Sequence, residues 1–116
     1  MMKYNWKKIG IGSVDTLGIQ FQKTVRLNNQ RKYSTRRRYL SAQVRFIKFV
    51  GGEFKLQKLV NLQDKHLFAY VDYLKSRDCT DSYIKTELSA IQFMHNNLDG
   101  VKHTLLSPAV FNLIIL

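Results

Sequence analysis

Between Lys23 and Arg38 the chain carries seven basic residues and no acid: Lys23, Arg26, Arg31, Lys32, Arg36, Arg37 and Arg38. Asn28, Asn29, Gln30, Tyr33, Ser34 and Thr35 stand among them. Lysine and arginine beside amides and hydroxyls are the residue types that contact nucleic-acid phosphates. A solvated charged face is the plain alternative. The lack of any carboxylate across the run argues instead for a polyanionic partner. Arg36, Arg37 and Arg38 would also fall in the first turn of a helix, where positive charge opposes the helix dipole at a cost of about 0.3 kcal/mol each. That placement is poor for stability and sensible for holding an anion.

Other chemistry is sparse. His66, His95 and His103 are scattered, and none has a second histidine or a cysteine three or four residues on, so no metal site of ordinary spacing is expected. Cys79 is the single cysteine and cannot form an internal disulfide. No serine sits in a nucleophile-elbow pattern, and Gly10-Ile11-Gly12 lacks the third glycine of a phosphate-cradling loop. Asp78 and Asp81 read as a helix terminus and a helix cap rather than an acid and base pair. No catalytic residue, metal or cofactor is therefore expected.

The charge has a position as well as a total. The 116 residues carry a formal +11, and the isoelectric point is near 10.0. Up to Val50 twelve bases meet one acid, Asp15, whereas from Gly51 onward seven bases meet seven acids. The excess belongs to the first part of the chain, a basic arm on a neutral body. A chain this long forms one domain, and 45% hydrophobic residues suffice for a core. No stretch has the length of a signal-peptide or membrane-spanning segment, and the lone cysteine fits a reducing compartment, so a cytoplasmic protein is expected.

These residues need elements to position them. Residues 1–32 contain Gly10, Gly12 and Gly18 and short apolar pieces, which read as extended or irregular chain. A helix is predicted from Ser34 to Val50, ended by Gly51 and Gly52. A second follows the caps at Asn61 to Asp64, with Leu67, Tyr70, Val71 and Leu74 at i, i+3, i+4 and i+7. A third starts near Thr80 or Asp81, repeats at Ile84, Leu88 and Ile91, and closes at Asn96, Asn97, Asp99 and Gly100. Ser107-Pro108 reads as the start of a fourth, apolar segment, Ala109 to Leu116. Such a segment must bury itself in this domain, in a partner copy or in a second domain, and a larger parent protein is the favoured expectation. The fold class predicted is all-α: a small bundle of about four helices over 33–116, preceded by a basic arm over 1–32.

The helical part resembles a known family. Thr35, Tyr39, Phe46 and Phe49-Val50, then Leu59-Val60-Asn61-Leu62, Lys65-His66-Leu67 and Tyr70-Val71-Asp72-Tyr73-Leu74, lead to Ser82-Tyr83-Ile84-Lys85-Thr86-Glu87-Leu88-Ser89-Ala90-Ile91-Gln92-Phe93-Met94-His95. This pattern is similar to the N-terminal core-binding (SAM-like) domain of phage-type integrases, the tyrosine recombinases. Gln92 stands where such domains carry a basic residue, and Tyr83 where many carry threonine. The resemblance implies a helical domain that clamps duplex DNA opposite a catalytic domain of the same polypeptide. That second domain would hold an arginine, a His-x-x-Arg motif and a nucleophilic tyrosine. His66, His95 and His103 are followed three residues later by Ala69, Leu98 and Leu106, so the chain contains no such motif. The expectation is a DNA-binding part of a recombinase without catalysis of its own. Its contacts would be Lys23, Arg26, Arg31, Lys32, Arg36, Arg37 and Arg38, with Lys85 as a lesser one. The rivals are a freestanding basic helical regulator of DNA or RNA, and a module that self-associates through its apolar C-terminal segment.

Overall fold

The computed structural model describes residues 12–27, 33–107, 110 and 113, with the backbone alone at 13, 24–27 and 33–36. Among the described residues the chain is all-α. Four helices, α1 (Gly12–Leu27), α2 (Tyr33–Glu53), α3 (Asp64–Ser76) and α4 (Asp81–Asn96), are joined by loops, with one 3-10 turn at Leu59–Asn61 and no strand. None of the described helices is long and apolar enough to cross a membrane. α2 is the central element, packed against α1 on one side and α4 on the other, while α3 touches both α2 and α4.

The first helix corrects an expectation. Gly12–Leu27 is α-helical, not irregular. Val14, Leu17, Gly18 and Phe21 recur at i, i+3, i+4 and i+7 and all four are buried. Fully burying Leu17 or Phe21 contributes about 1.5–3 kcal/mol each, more than the roughly 1 kcal/mol that a helical glycine costs. Periodicity prevails over the glycines. Residues 1–11 and 28–32 of the expected arm lie outside the described residues.

Gly51 and Gly52 do not end the second helix either, which runs on to Glu53. A Cβ at Gly51 would sit 2.6 Å from Cγ2 and 2.9 Å from Cα of Val14. Gly51 is thus where the backbones of α1 and α2 meet, and only a residue without a side chain allows that approach.

The remaining helices start and stop where their chemistry dictates. Gln63 caps α3 in a reciprocal box with His66, whose Nδ1 accepts the Gln63 N–H at 2.9 Å. The end of α3 is a Schellman motif: Asp78 N–H donates to Lys75 O, and Cys79 N–H to Leu74 O. Asp78 takes the left-handed conformation there, φ 60°, where glycine is usual. Thr80 caps α4, its hydroxyl accepting the Tyr83 N–H, and Asp81 follows in the first turn. Asp78 is therefore a helix terminus as expected, whereas the cap of α4 is Thr80 and Asp81 is the first residue of the helix.

Leu67, Val71 and Leu74 of α3 and Ile84, Leu88 and Ile91 of α4 are all buried, together with Phe46, Ile47 and Val50 of α2. Side-chain amides fasten the layers. Gln43 donates to the Ala90 carbonyl at 2.8 Å and ties α2 to α4. Gln20 donates to Gln57 O and accepts the Leu59 N–H, which holds α1 against the connector. At the end of the chain, Ser107 Oγ accepts the Val110 N–H at 3.3 Å, in keeping with a helix start. Val110 and Leu113 are exposed, the latter 86%, so at these two positions the apolar segment is not buried against this domain. Phe111, Ile114 and Ile115 lie outside the described residues.

Candidate functional site

On α2 the buried residues leave an exposed stripe. Leu40, Val44, Ile47 and their neighbours face the core, while Arg38, Ser41, Arg45 and Lys48, at i, i+3, i+7 and i+10, are exposed along the opposite side. Three of these four are basic. The stripe runs beside the N-terminal turns of α4 and the C-terminal end of α3, and two concavities form there.

The narrower, about 360 Å³, is lined by Arg38 and Arg45 of α2 and by Thr80, Ser82, Tyr83, Thr86 and the Arg45-paired Glu87 around the start of α4. Two guanidinium groups and the Thr80 and Ser82 hydroxyls are suited to phosphate oxygens, the guanidinium as a charged fork and the hydroxyl as an adjustable donor, whereas the Thr86 hydroxyl already donates to the Ser82 carbonyl at 3.1 Å. The wider, about 470 Å³, shares Arg45 and Tyr83 and adds Lys48, Phe49, Tyr73 and Arg77. Among the described residues, none of Arg38, Lys48 and Arg77 has a carboxylate at ion-pair distance.

Arg45 is held in place. Its Nε donates to Glu87 Oε1 at 3.0 Å and its Nη2 to Oε2 at 2.8 Å, while the Tyr70 hydroxyl donates to Oε1 at 2.9 Å. Glu87 is 1% exposed, yet the Arg45 side chain remains 47% exposed at the mouth of the groove. The carboxylate hydrogen bonds hold the Arg45 pKa above its ordinary value. Burial first, and the Glu87 charge second, push the Tyr70 phenol well up, so both side chains keep their protons throughout the neutral range. Tyr83 is raised in the same direction, mainly by burial and then by Glu87, and the Arg45 guanidinium lies 5.8 Å from its ring centroid. The arrangement fixes a guanidinium at the junction of the two concavities, its charge paired with the buried Glu87 carboxylate.

The expected contacts divide. Arg37 and Arg38 are exposed at the start of α2, and only Arg38 of these two lines a concavity. Lys23 is exposed on α1 and Lys85 on α4, and neither lines the two concavities. Arg26 and Arg36 are helical with side chains outside the described residues, as are Arg31 and Lys32 entirely. Sequence reasoning missed Arg45, Lys48 and Arg77. The first two carried a legible signal, since they continue from Arg38 at helical spacing. Arg77 carried none, because α3 brings it in through tertiary packing.

The histidines take structural positions. His66 and His95 are buried and held below the ordinary histidine pKa, chiefly by that burial. Among the described residues no group of three His, Cys, Asp or Glu could hold a metal ion. Gln92 is buried and donates to the Leu106 carbonyl at 2.6 Å, while Asp64 accepts the Leu106 N–H, so Gln92 anchors the loop after α4 and does not reach the groove. Comparison with protein-family models, with curated proteins and with solved structures finds no match to this chain.

Proposed function

We propose that this chain binds duplex DNA, as the core-binding, non-catalytic part of a recombinase of the phage-integrase type. The observation that carries the reading is the exposed stripe Arg38, Arg45 and Lys48 of α2 beside the hydroxyls of Thr80 and Ser82. A row of cations on one helix face, with hydroxyls across a concavity, matches a line of phosphates better than a compact anion. The resemblance of residues 35–95 to core-binding domains adds the recombinase context. Arg37, Lys85 and Lys23 extend the basic surface as flanking phosphate contacts, and the run from Arg26 to Arg36 supplies further charge. Catalysis would come from another domain of the same polypeptide, in a cytoplasmic setting.

Binding by such a surface is governed by phosphate charge, so sequence preference is weak and affinity modest. The test is a competition experiment by fluorescence anisotropy, in which a labelled duplex DNA is displaced by unlabelled duplex DNA or by single-stranded RNA of equal length. Duplex DNA is the better competitor on this reading. A clear preference for the RNA contradicts it and favours a freestanding RNA-binding regulator.

A further inference from the structure

We propose that the wider groove, between Lys48 of α2, Tyr73 of α3, Arg77 just beyond that helix and Tyr83 of α4, holds an unpaired nucleotide of a nucleic-acid strand with its base stacked on the Tyr73 and Arg77 pair. The inference rests on the nucleic-acid reading above and names a part of the substrate that the phosphate contacts do not explain. Phosphate binding needs cations and donors, which the narrower concavity already provides. The wider one differs because the exposed Tyr73 ring joins the Tyr83 ring that the two concavities share.

Tyr73 is 41% exposed and Tyr83 39%. The Tyr73 ring does not stand alone: Phe49 lies 5.1 Å from its centroid at 37°, Tyr70 lies 6.2 Å away nearly parallel at 19°, and the Arg77 guanidinium is at 5.5 Å. A ring fixed by such neighbours loses little freedom on binding, and the exposed Arg77 guanidinium that lies over it presents the plane on which a base stacks. The volume of about 470 Å³ falls among small-ligand sites and accommodates a nucleobase with its sugar. Lys48 and Arg77 supply positive charge for the adjoining phosphate, against Glu53 as the carboxylate on the lining. Paired bases within a duplex have both faces covered by their neighbours, so an aromatic platform of this kind is matched by an unpaired base at a strand end, a flap or a distorted step.

The experiment compares four ligands by anisotropy: a blunt duplex, the same duplex with a short single-stranded extension, the single strand, and a free nucleoside monophosphate as competitor. The extension is expected to improve affinity about tenfold, the size of one stacked base. Tyr73→Leu removes that gain and leaves blunt-duplex binding unchanged, whereas Tyr73→Phe, which keeps the ring, retains it. Equal affinity of the parent protein for blunt and extended duplexes overturns the proposal, and so does an equal loss on both in Tyr73→Leu. A free monophosphate bound as tightly as the extended duplex overturns the assignment to a strand. If the blunt duplex does not bind while the single strand binds in a Tyr73-dependent way, the groove assignment stands and the duplex reading falls.

Discussion

Arg45 of α2 meets Glu87 of α4 through two hydrogen bonds, Nε to Oε1 at 3.0 Å and Nη2 to Oε2 at 2.8 Å, and so joins the two helices that flank the groove. The carboxylate is buried and the guanidinium half exposed. Removing the arginine leaves a buried charge held by the Tyr70 hydroxyl and, more weakly, by Tyr83. Arg45→Met is therefore expected to cost about 2–4 kcal/mol, toward the lower part of what breaking a buried ion pair costs, because water can reach the arginine side. Combining Arg45→Met with Glu87→Met should cost less than the sum of the two. Denaturant melts of the three variants measure this, and strictly additive losses would show that the pair is not coupled.

The contact between Gly51 and Val14 yields a sharper steric prediction. A methyl group at Gly51 overlaps both Cγ2 and Cα of Val14, and a backbone atom cannot be moved by a change of rotamer. Gly51→Ala is expected to destabilise by about 1–3 kcal/mol, despite the better helix propensity of alanine. Gly52→Ala, where nothing lies within 4 Å, should be neutral or stabilising. Thermal unfolding of the two variants side by side decides it, and equal melting temperatures would contradict the packing of α1 on α2.

Stability should also depend on pH through His66 and His95. Burial lowers both pKa values in the folded state, so the unfolded chain takes up protons first as the pH falls through 6.5. The stabilisation is full above that value and is lost progressively toward the depressed folded values. His95 Nε2 is buried without a hydrogen-bond partner, which leaves an added proton nothing to bind. Melting temperature is expected to fall between pH 7 and pH 5, and to fall less in a His66→Gln, His95→Gln variant, which keeps a polar group at each position. An identical decline in the parent and the variant would assign the effect to other groups.

The parts of this fold that were legible in the sequence are those where local pattern and tertiary packing agree. Leu67, Tyr70, Val71 and Leu74, and Ile84, Leu88 and Ile91, repeat at helical spacing, and their helices start and stop beside the residues that cap them. Gly51 misled, because glycine serves both to end a helix and to let two helices approach, while Gly12, Gly18 and Gly52 are simply carried within helices. Only the neighbour, Val14 in the case of Gly51, distinguishes the two uses. The site divides in the same way. Density of charge pointed to Arg37 and Arg38, whereas Arg45 and Lys48 needed the helical period, and Tyr73 and Arg77 needed the placement of α3 against α2 and α4.

The most direct test of the central claim is the salt dependence of duplex binding with the α2 stripe and the flanking Arg37 altered. If about five to seven phosphates are neutralised, log affinity falls with log salt at a slope of about −5 to −6. Arg37, Arg38 and Lys48 are exposed, so the triple variant Arg37→Ala, Arg38→Ala, Lys48→Ala should fold normally. In an anisotropy titration over several salt concentrations, the slope of that variant is expected to be shallower by about 3, roughly one for each phosphate no longer neutralised. A slope unchanged from the parent protein would remove the α2 stripe from the interface and contradict the account.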